Sequence, residues 1–291
     1  MTSGALHAYA PAKINLGLHV LRRRPDHFHD VETVMLPIGW RDEVTAKPDR
    51  TFRFTCSDPS LPTGERNLCV RAARALAERA GLDPHGWVHL EKRVPHGAGL
   101  GGGSSDAART LRLLARLWGL ALEPGVLHGI AAGLGSDVPF FLHDRAMVAT
   151  GRGEVLTPLG SGPYRLPYAL VVVMPPVRVS TAAAYALVRP NTNDRPDLSE
   201  VVRSNDLDRW RRELVNDFEE PVLARYPEIG VARQRLVGAG AGYAALSGSG
   251  AAVFGVFERA AEARQAAEEA ASDGLQVWWA PSVQREGGRA P

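Results

Sequence analysis

Apolar positions alternate along some stretches of the chain and recur every three to four residues along others, and the two periods mark out its elements. His7–Leu21, Val31–Pro48 and Thr51–Ser57 are rich in β-branched and aromatic residues and predict strands, the first with Pro11 near its centre. Asp58–Asn67 reads as a loop. Leu68, Ala72, Leu76 and Ala80 then fall on one helical face with arginines opposite, and Gly81 predicts the stop. Gly86–Pro95 alternates as a strand and runs into a glycine-rich stretch. Beyond it Ala107, Leu111, Leu114, Ala115 and Trp118 line a second helix, with Arg109, Arg112 and Arg116 on its other face.

A weaker helix is predicted over Pro124–Gly135, leading into "SDVPFFL". Gly151–Pro163 is turn-rich, which places a domain boundary there, with domains 1–155 and 156–291. Tyr168–Pro176 predicts a buried strand, and Arg189–Trp210, polar and full of turn residues, a mobile excursion. Glu220–Gly240 is helical with a break at Pro227. Tyr243–Phe257 holds two β-rich runs joined at Gly248–Gly250. Glu258–Ser272 predicts a helix, Leu275–Ala280 a last strand, and Gln284–Pro291 a frayed tail. Strands and helices mix without regular βαβ alternation, which indicates an α+β class.

Composition narrows the function classes. With 34 basic and 32 acidic residues the net charge is +2, so no global field favours nucleic acid or a membrane surface. Cys56 and Cys69 match neither a zinc spacing nor a disulfide framework. The N-terminus lacks the apolar core of a signal peptide, and the longest apolar run, Ala169–Met174, is too short to span a bilayer. These features predict a cytoplasmic protein with no nucleic-acid or membrane partner; for its assembly the expectation is a monomer or weak homodimer.

The candidate chemistry lies in "VPHGAGLGGGSSDAAR", Val94–Arg109. Gly97, Gly102 and Ser104 fit a P-loop spacing, but Gly103 stands where its lysine belongs. Gly97, Gly99 and Gly102 satisfy GxGxxG, yet the strand and acid expected about 20 residues on are replaced by the turn-like "GLALEPGV". A protein-kinase glycine loop fails at Ser104, where valine is expected. A flexible connector stays open. Against it, the glycines pass straight into a helix that Ser104 or Ser105 can cap. Glycine amides converging on a helix N-terminus form an anion cradle, and the missing Cβ atoms let a phosphate approach the backbone.

The whole string resembles the second motif of the GHMP kinases, whose loop grips ATP phosphates without a P-loop lysine. "APAKINLGLHV" (Ala10–Val20) is similar to that family's N-terminal motif and "LSGSGAAVFGVF" (Leu246–Phe257) to its C-terminal one, in family order across nearly the whole chain. The resemblance implies a two-domain fold. Its N-terminal domain would be like the second domain of ribosomal protein S5 and its C-terminal domain ferredoxin-like, with ATP and substrate in the cleft between. "RPDHFHDVETVM", "GSDVPFFL", "GRGE" and "VSTAAAY" are similar to members acting on a cytidine-diphosphate-linked methylerythritol, in the non-mevalonate route to isoprenoid precursors.

Roles follow residue by residue from that resemblance. Asp137 would be the catalytic base and Lys13 the cation that holds it ionised; their plain readings are a turn aspartate and a strand lysine with its head in solvent. Asn15, two residues on, shares the Lys13 face and would lie near substrate. Pro95, Gly97, Ala98, Gly99, Leu100, Gly101, Gly102, Gly103, Ser104 and Ser105 would hold ATP, with Asn67 and Lys92 beside them. For Asn67 and Lys92 the plain alternatives are a helix-starting asparagine and a solvated strand lysine. Phe28, where the family usually has tyrosine, would stack on the cytosine, and His29 would hydrogen-bond it. His27 replaces the usual glycine, which puts the turn geometry in question, and Ser136 replaces the usual alanine. Thr181 and Tyr185 would lie on the substrate side, and Gly248 and Ser249 in the cleft wall, where a hairpin turn is the plain alternative. His27 and His29 form an H-x-H pair without an apparent third metal ligand. ATP implies Mg2+, for which the sequence singles out no ligand.

Three other readings stay in view: a GHMP kinase for mevalonate, homoserine or a sugar; a non-catalytic ligand sensor on the same fold; and an RNA-binding relative of the S5 domain. A sensor should lack Lys13 or Asp137, and an RNA binder should carry a basic patch with exposed aromatics.

Overall fold

The computed structural model describes residues 4–281, so the tail from Gln284 lies outside the described residues. The chain opens with two long strands, β1 (Leu6–Arg23) and β2 (His29–Lys47), then β3 (Arg53–Cys56), α1 (Leu68–Ala80), β4 (Trp87–Glu91), α2 (Gly102–Leu117) and α3 (Pro124–Leu134). A short 3-10 turn, Pro139–Leu142, leads to β5 (Met147–Thr150), β6 (Val155–Pro158) and β7 (Ala169–Met174). The rest of the chain is α4 (Thr181–Leu187), α5 (Leu198–Ser204), α6 (Leu207–Glu213), α7 (Glu219–Arg225), α8 (Pro227–Gly238), β8 (Tyr243–Leu246), β9 (Val253–Phe257), α9 (Ala260–Ser272) and β10 (Gln276–Ala280).

These elements form two compact units that interleave along the chain. One comprises residues 4–12, 40–96 and 101–144; the other comprises residues 13–39, 97–100 and 145–281. β1 and β2 run through both. In the first unit the later half of β2 pairs antiparallel with β4, from Glu43↔Glu91 to Lys47↔Trp87, and β4 pairs parallel with β3. Leu76, Ala73, Leu111 and Leu114 of α1 and α2, which pack on each other, are fully buried. In the second unit the first half of β2 pairs with β5, and β5 with β6. β7, α8, β8, β9, α9 and β10 run βαββαβ, and their strands form an antiparallel sheet in the order β10-β7-β9-β8, a ferredoxin-like arrangement. Val171, Val173, Leu246, Val253 and Phe257 from this sheet join Leu18 and Val20 of β1 in one core.

The predicted elements are present; β5 and α4 lie where the sequence predicts none, and three readings differ. α2 starts at Gly102, ahead of the expected serine cap: its N-cap is Gly101, in the left-handed region at φ +68°, and no side chain caps it. Ser104 and Ser105 sit inside the first turn, where the Ser105 amide already donates to the Gly101 carbonyl (2.9 Å). Arg189–Trp210 contains α5 and the start of α6 in place of an excursion. Each has an aspartate N-cap, Asp197 and Asp206, whose carboxylate accepts from first-turn amides. β6 lies inside the stretch read as turns, where its pairing partner β5 decides the conformation. Among the described residues no helix is long and apolar enough to cross a membrane.

Candidate active site

In the second unit the site is built around Lys13. β1 is buried on both faces here, so the side chain is largely shut off from bulk water: Lys13 is 3% exposed and Asn15 2%. An ammonium so placed needs strong acceptors. Its Nζ donates to Asn15 Oδ1 (2.6 Å) and to the Gly99 carbonyl (2.8 Å). Asn15 Nδ2 in turn donates to Thr33 Oγ1 (2.9 Å), whose hydroxyl donates to the Gly17 carbonyl. The expected pairing of Lys13 and Asn15 on one face is therefore present, and a β2 threonine fixes the amide orientation.

The glycine loop and the Leu246–Gly250 turn meet this cluster. The Lys13 amide donates to the Leu100 carbonyl (2.9 Å), the Ala252 amide to the Ala98 carbonyl (3.0 Å) and the Ser247 hydroxyl to the Gly99 carbonyl (3.1 Å). Gly248, at φ +55°, approaches so closely that a Cβ would lie 3.1 Å from Asn15 Oδ1 and 3.2 Å from Lys13 Nζ. Asn216, buried and overlooked in the sequence reading, holds that turn: its Nδ2 donates to the Leu246 and Gly248 carbonyls at 2.9 Å. Ser249 Oγ lies 3.5 Å from Thr181 Oγ1, so the turn and the start of α4 are neighbours.

The β1–β2 turn is clamped by charge. Arg24 engages Asp26 and Asp30, and Arg22 binds Asp30 at 2.5 Å. His27 takes the left-handed region at φ +67°, so histidine adopts the backbone that glycine usually supplies, at about 1–2 kcal/mol of strain. Phe28 is 53% exposed, an aromatic platform with the Arg152 guanidinium 5.0 Å from its ring centre. His29 stacks on Tyr185 (4.8 Å, 16°), whose ring meets Phe218 edge-on. Burial, then the charge of Arg23, lowers the His29 pKa, which favours the neutral ring. Arg152, in "GRGE", carries no signal by itself that it would lie against Phe28.

From Gly101 the chain is in the first unit, where the loop continues into α2. Gly97, Gly99 and Gly101 alternate at φ +69°, +74° and +68°. Alternation of left-handed residues with others is how consecutive amides come to line an anion-binding concavity. Gly103 is exposed and Ser104 half-buried, whereas Ser105 is fully buried with an Oγ that has no partner among the described residues. Asn67 is the N-cap of α1: its Oδ1 accepts from the Cys69 amide (2.9 Å) and its Nδ2 donates to the Pro62 carbonyl. Lys92 is no solvated strand lysine. Its ammonium lies between Asp42 (2.5 Å) and Asp106 (3.0 Å), with all three side chains 4% exposed or less. Asp42 Oδ1 also accepts from the Arg93 and Val94 amides at the entry to the loop. Sequence reading missed Asp42 because one acid in an alternating strand gives no sign of a distant lysine. Asp137 is half-buried in the turn after α3, where the Val138 amide closes onto the Gly135 carbonyl (3.1 Å). Nothing in the structure explains the serine at 136. Among the described residues no group of three or more His, Cys, Asp or Glu could hold a metal ion.

Comparison with known proteins bears on this geometry. The family descriptions "GHMP kinases N terminal domain" and "GHMP kinases C terminal" match residues 67–145 and 197–274. The chain belongs to the GHMP kinase family. It is 53% identical over 260 residues to a 4-diphosphocytidyl-2-C-methyl-D-erythritol kinase of Salinibacter ruber, covering 88% of this chain and 92% of that one. A protein of the same name from Chlorobium phaeobacteroides is 45% identical over 262 residues, covering 88% and 90%. The crystal structure of a 4-(cytidine 5'-diphospho)-2C-methyl-D-erythritol kinase matches with TM-score 0.79 and 36% identity, over 96% of this chain and all of that one. A homoserine kinase from Cytophaga hutchinsonii matches in fold, with TM-score 0.73 at 17% identity over 98% and 97%. The α+β fold is thus the two-domain fold of GHMP kinases, and the chain is a kinase.

Proposed function

We infer that this GHMP kinase transfers the γ-phosphoryl group of ATP to the 2-hydroxyl of 4-diphosphocytidyl-2-C-methyl-D-erythritol, giving the 2-phosphate and ADP. That step belongs to the non-mevalonate route to isoprenoid precursors. The observation that carries the reading is Lys13. It is a buried ammonium held to the glycine loop through the Gly99 carbonyl, in a chain 53% identical to a kinase of that name.

The chemistry needs positioning more than covalent participation. Backbone amides of Gly97–Ser105 and the uncapped N-terminus of α2 hold the phosphates. Mg2+ would come bound to the phosphates of ATP and would offset their charge; among the described residues no acidic or histidine cluster would hold it alone. The alcohol oxygen attacks the γ-phosphorus, the bond to ADP breaks, and Asp137 accepts the hydroxyl proton. In a loose transition state that proton leaves late, so Asp137 acts chiefly by orienting the hydroxyl. Lys13 offsets the negative charge of the transferring group. Phe28 offers a face to the cytosine and neutral His29 hydrogen-bonds it, with Tyr185 behind His29 and Thr181 and Ser249 nearby. An aromatic-histidine pair suits a base and has no use on a short polyol, which favours this substrate over mevalonate, homoserine or a sugar.

The test is ADP release from MgATP with each candidate alcohol. Turnover with the cytidyl substrate and none with mevalonate or homoserine is expected; the reverse would overturn the assignment. Asp137→Asn should keep MgATP affinity within about threefold and lose at least 100-fold in kcat, about 2.7 kcal/mol of barrier. A fully active variant would remove Asp137 from the mechanism.

A further inference from the structure

Beneath the start of α2, in the first unit, lies a buried charge cluster with no part in the chemistry above. Two carboxylates, Asp42 and Asp106, share one ammonium, Lys92, and their side chains are 0%, 3% and 4% exposed. Fully ionised, the cluster carries one uncompensated negative charge. It sits where anions should be welcomed. The Lys92 Nζ is 3.0 Å from the place a Cβ on Gly102 would occupy, at the first residue of α2. Asp106 follows four residues later, about 6 Å along the helix axis from that N-terminus.

The surroundings leave Asp106 without further compensation. Its Oδ1 is buried and has no hydrogen-bond partner among the described residues. An ionised oxygen so placed is costly, whereas a protonated one is not. From α1 it faces Cys69, whose thiol burial keeps protonated, and from β3 Cys56, whose thiol burial also pushes up. On α2 itself Thr110 turns its hydroxyl to the Asp106 carbonyl, and Arg109 is engaged by Asp144 at 2.7 Å. α3 and the Pro139–Leu142 turn also pack on α2 and bring no acid, lysine or arginine; the one ionisable side chain of α3 is His128. From β2 and the β4 end come Asp42 and Lys92. Burial pushes the Asp106 carboxyl up to about 8; Lys92 opposes that rise and Asp42 adds to it.

We propose that nucleotide binding at the glycine-rich start of α2 is coupled to protonation of Asp106, with Lys92 and Asp42 as the positioning residues that hold Asp106 beneath that helix start. The inference rests on the reading of that glycine-rich stretch as the nucleotide site. The polyphosphate brings negative charge within several ångströms of Asp106. The bound state therefore favours the protonated carboxyl, and in the free enzyme the same proton makes the cluster neutral and the cradle more receptive. The proton comes from solvent and goes to Asp106 Oδ1 or Oδ2; no covalent bond of the nucleotide changes.

Calorimetric titration with MgATP, without acceptor alcohol, in two buffers of different ionisation enthalpy measures the protons taken up. Near pH 8.5, where ATP itself is fully ionised, the wild type should take up most of one proton. Its Kd should weaken roughly tenfold between pH 7 and pH 9, a conservative discount on one unit charge at this separation. Asp106→Asn should bind with no buffer-dependent heat and a flat pH profile. Asp42→Asn leaves a neutral Lys92–Asp106 pair and should lose the proton uptake as well, so either variant serves if the other fails to fold. A purely structural role for the cluster would change melting temperature without changing the proton count. Wild-type binding with no proton uptake, or uptake retained in Asp106→Asn, would overturn the proposal alone. Failure of MgATP to bind at any pH would overturn the nucleotide reading of the loop and this proposal with it.

Discussion

Gly99 is held at φ +74°, and a Cβ there would run into the carbonyl of Ser247. The same residue offers its own carbonyl to Lys13 Nζ and to the Ser247 hydroxyl. One methyl group therefore strains the backbone by about 1–2 kcal/mol and displaces the acceptor that anchors the ammonium. Gly99→Ala should fold, because the clash falls on one turn and the helices and sheets keep their packing, yet lose about 100-fold in kcat/KM. Steady-state kinetics beside a thermal melt would check this; wild-type kinetics would mean that the contact yields without consequence. That the glycines mattered was legible in the sequence. Which glycine meets which neighbour was not, because Gly99 and Ser247 are 148 residues apart.

At the scale of elements, α5 and α6 are the instructive pair. Their residues are polar enough to suggest an excursion, but Asp197 and Asp206 are N-caps at the spacing that starts short helices. Helices of seven residues are marginal alone, and packing makes them stable. Trp210 of α6 is fully buried, its Nε1 donates to the Val201 carbonyl of α5 (2.8 Å), and it meets Tyr168 and Tyr243 edge-on. Trp210→Ala should cost about 3–5 kcal/mol, read as a lowered urea midpoint at unchanged slope. A shift worth under about 1 kcal/mol would show that these helices are not held by this side chain. α1, α2 and α9 were readable because their apolar stripes are long. β6 was not: four residues with Pro158 at their end have no period of their own, and β5 supplies the pairing.

Across the whole molecule, buried ionisable groups tie stability to pH, and two of them pull in opposite directions. His19 is 2% exposed; burial, then the Arg195 charge, lowers its pKa to about 4. The unfolded chain then binds more protons than the folded one between about pH 6.5 and pH 4, so this contribution is present above pH 6.5 and is lost as pH falls. Asp106, raised to about 8, acts the other way: the folded state holds its proton, and stability is lost as pH rises from about 4 towards 8. The difference between wild type and His19→Gln isolates the first effect. It should shrink by up to about 3 kcal/mol from pH 7 to pH 4, at about 1.4 kcal/mol per pH unit, measured by urea unfolding. A pH-independent difference would mean that His19 titrates normally. By itself, the sequence determined what short-range pattern and motif chemistry can carry: the α+β class, most elements, the order of the three motifs and the residue types of the candidate site. Those signals survive in one dimension because each is written within about fifteen residues. Only the tertiary structure decided that β1 and β2 run through both units, that Gly248 closes on Lys13 and Asn15, and that Asp42 and Asp106 meet at Lys92. Such contacts join residues far apart in the chain, and no local propensity encodes them; they exist because burial leaves each charge and each amide only one place to find its partner.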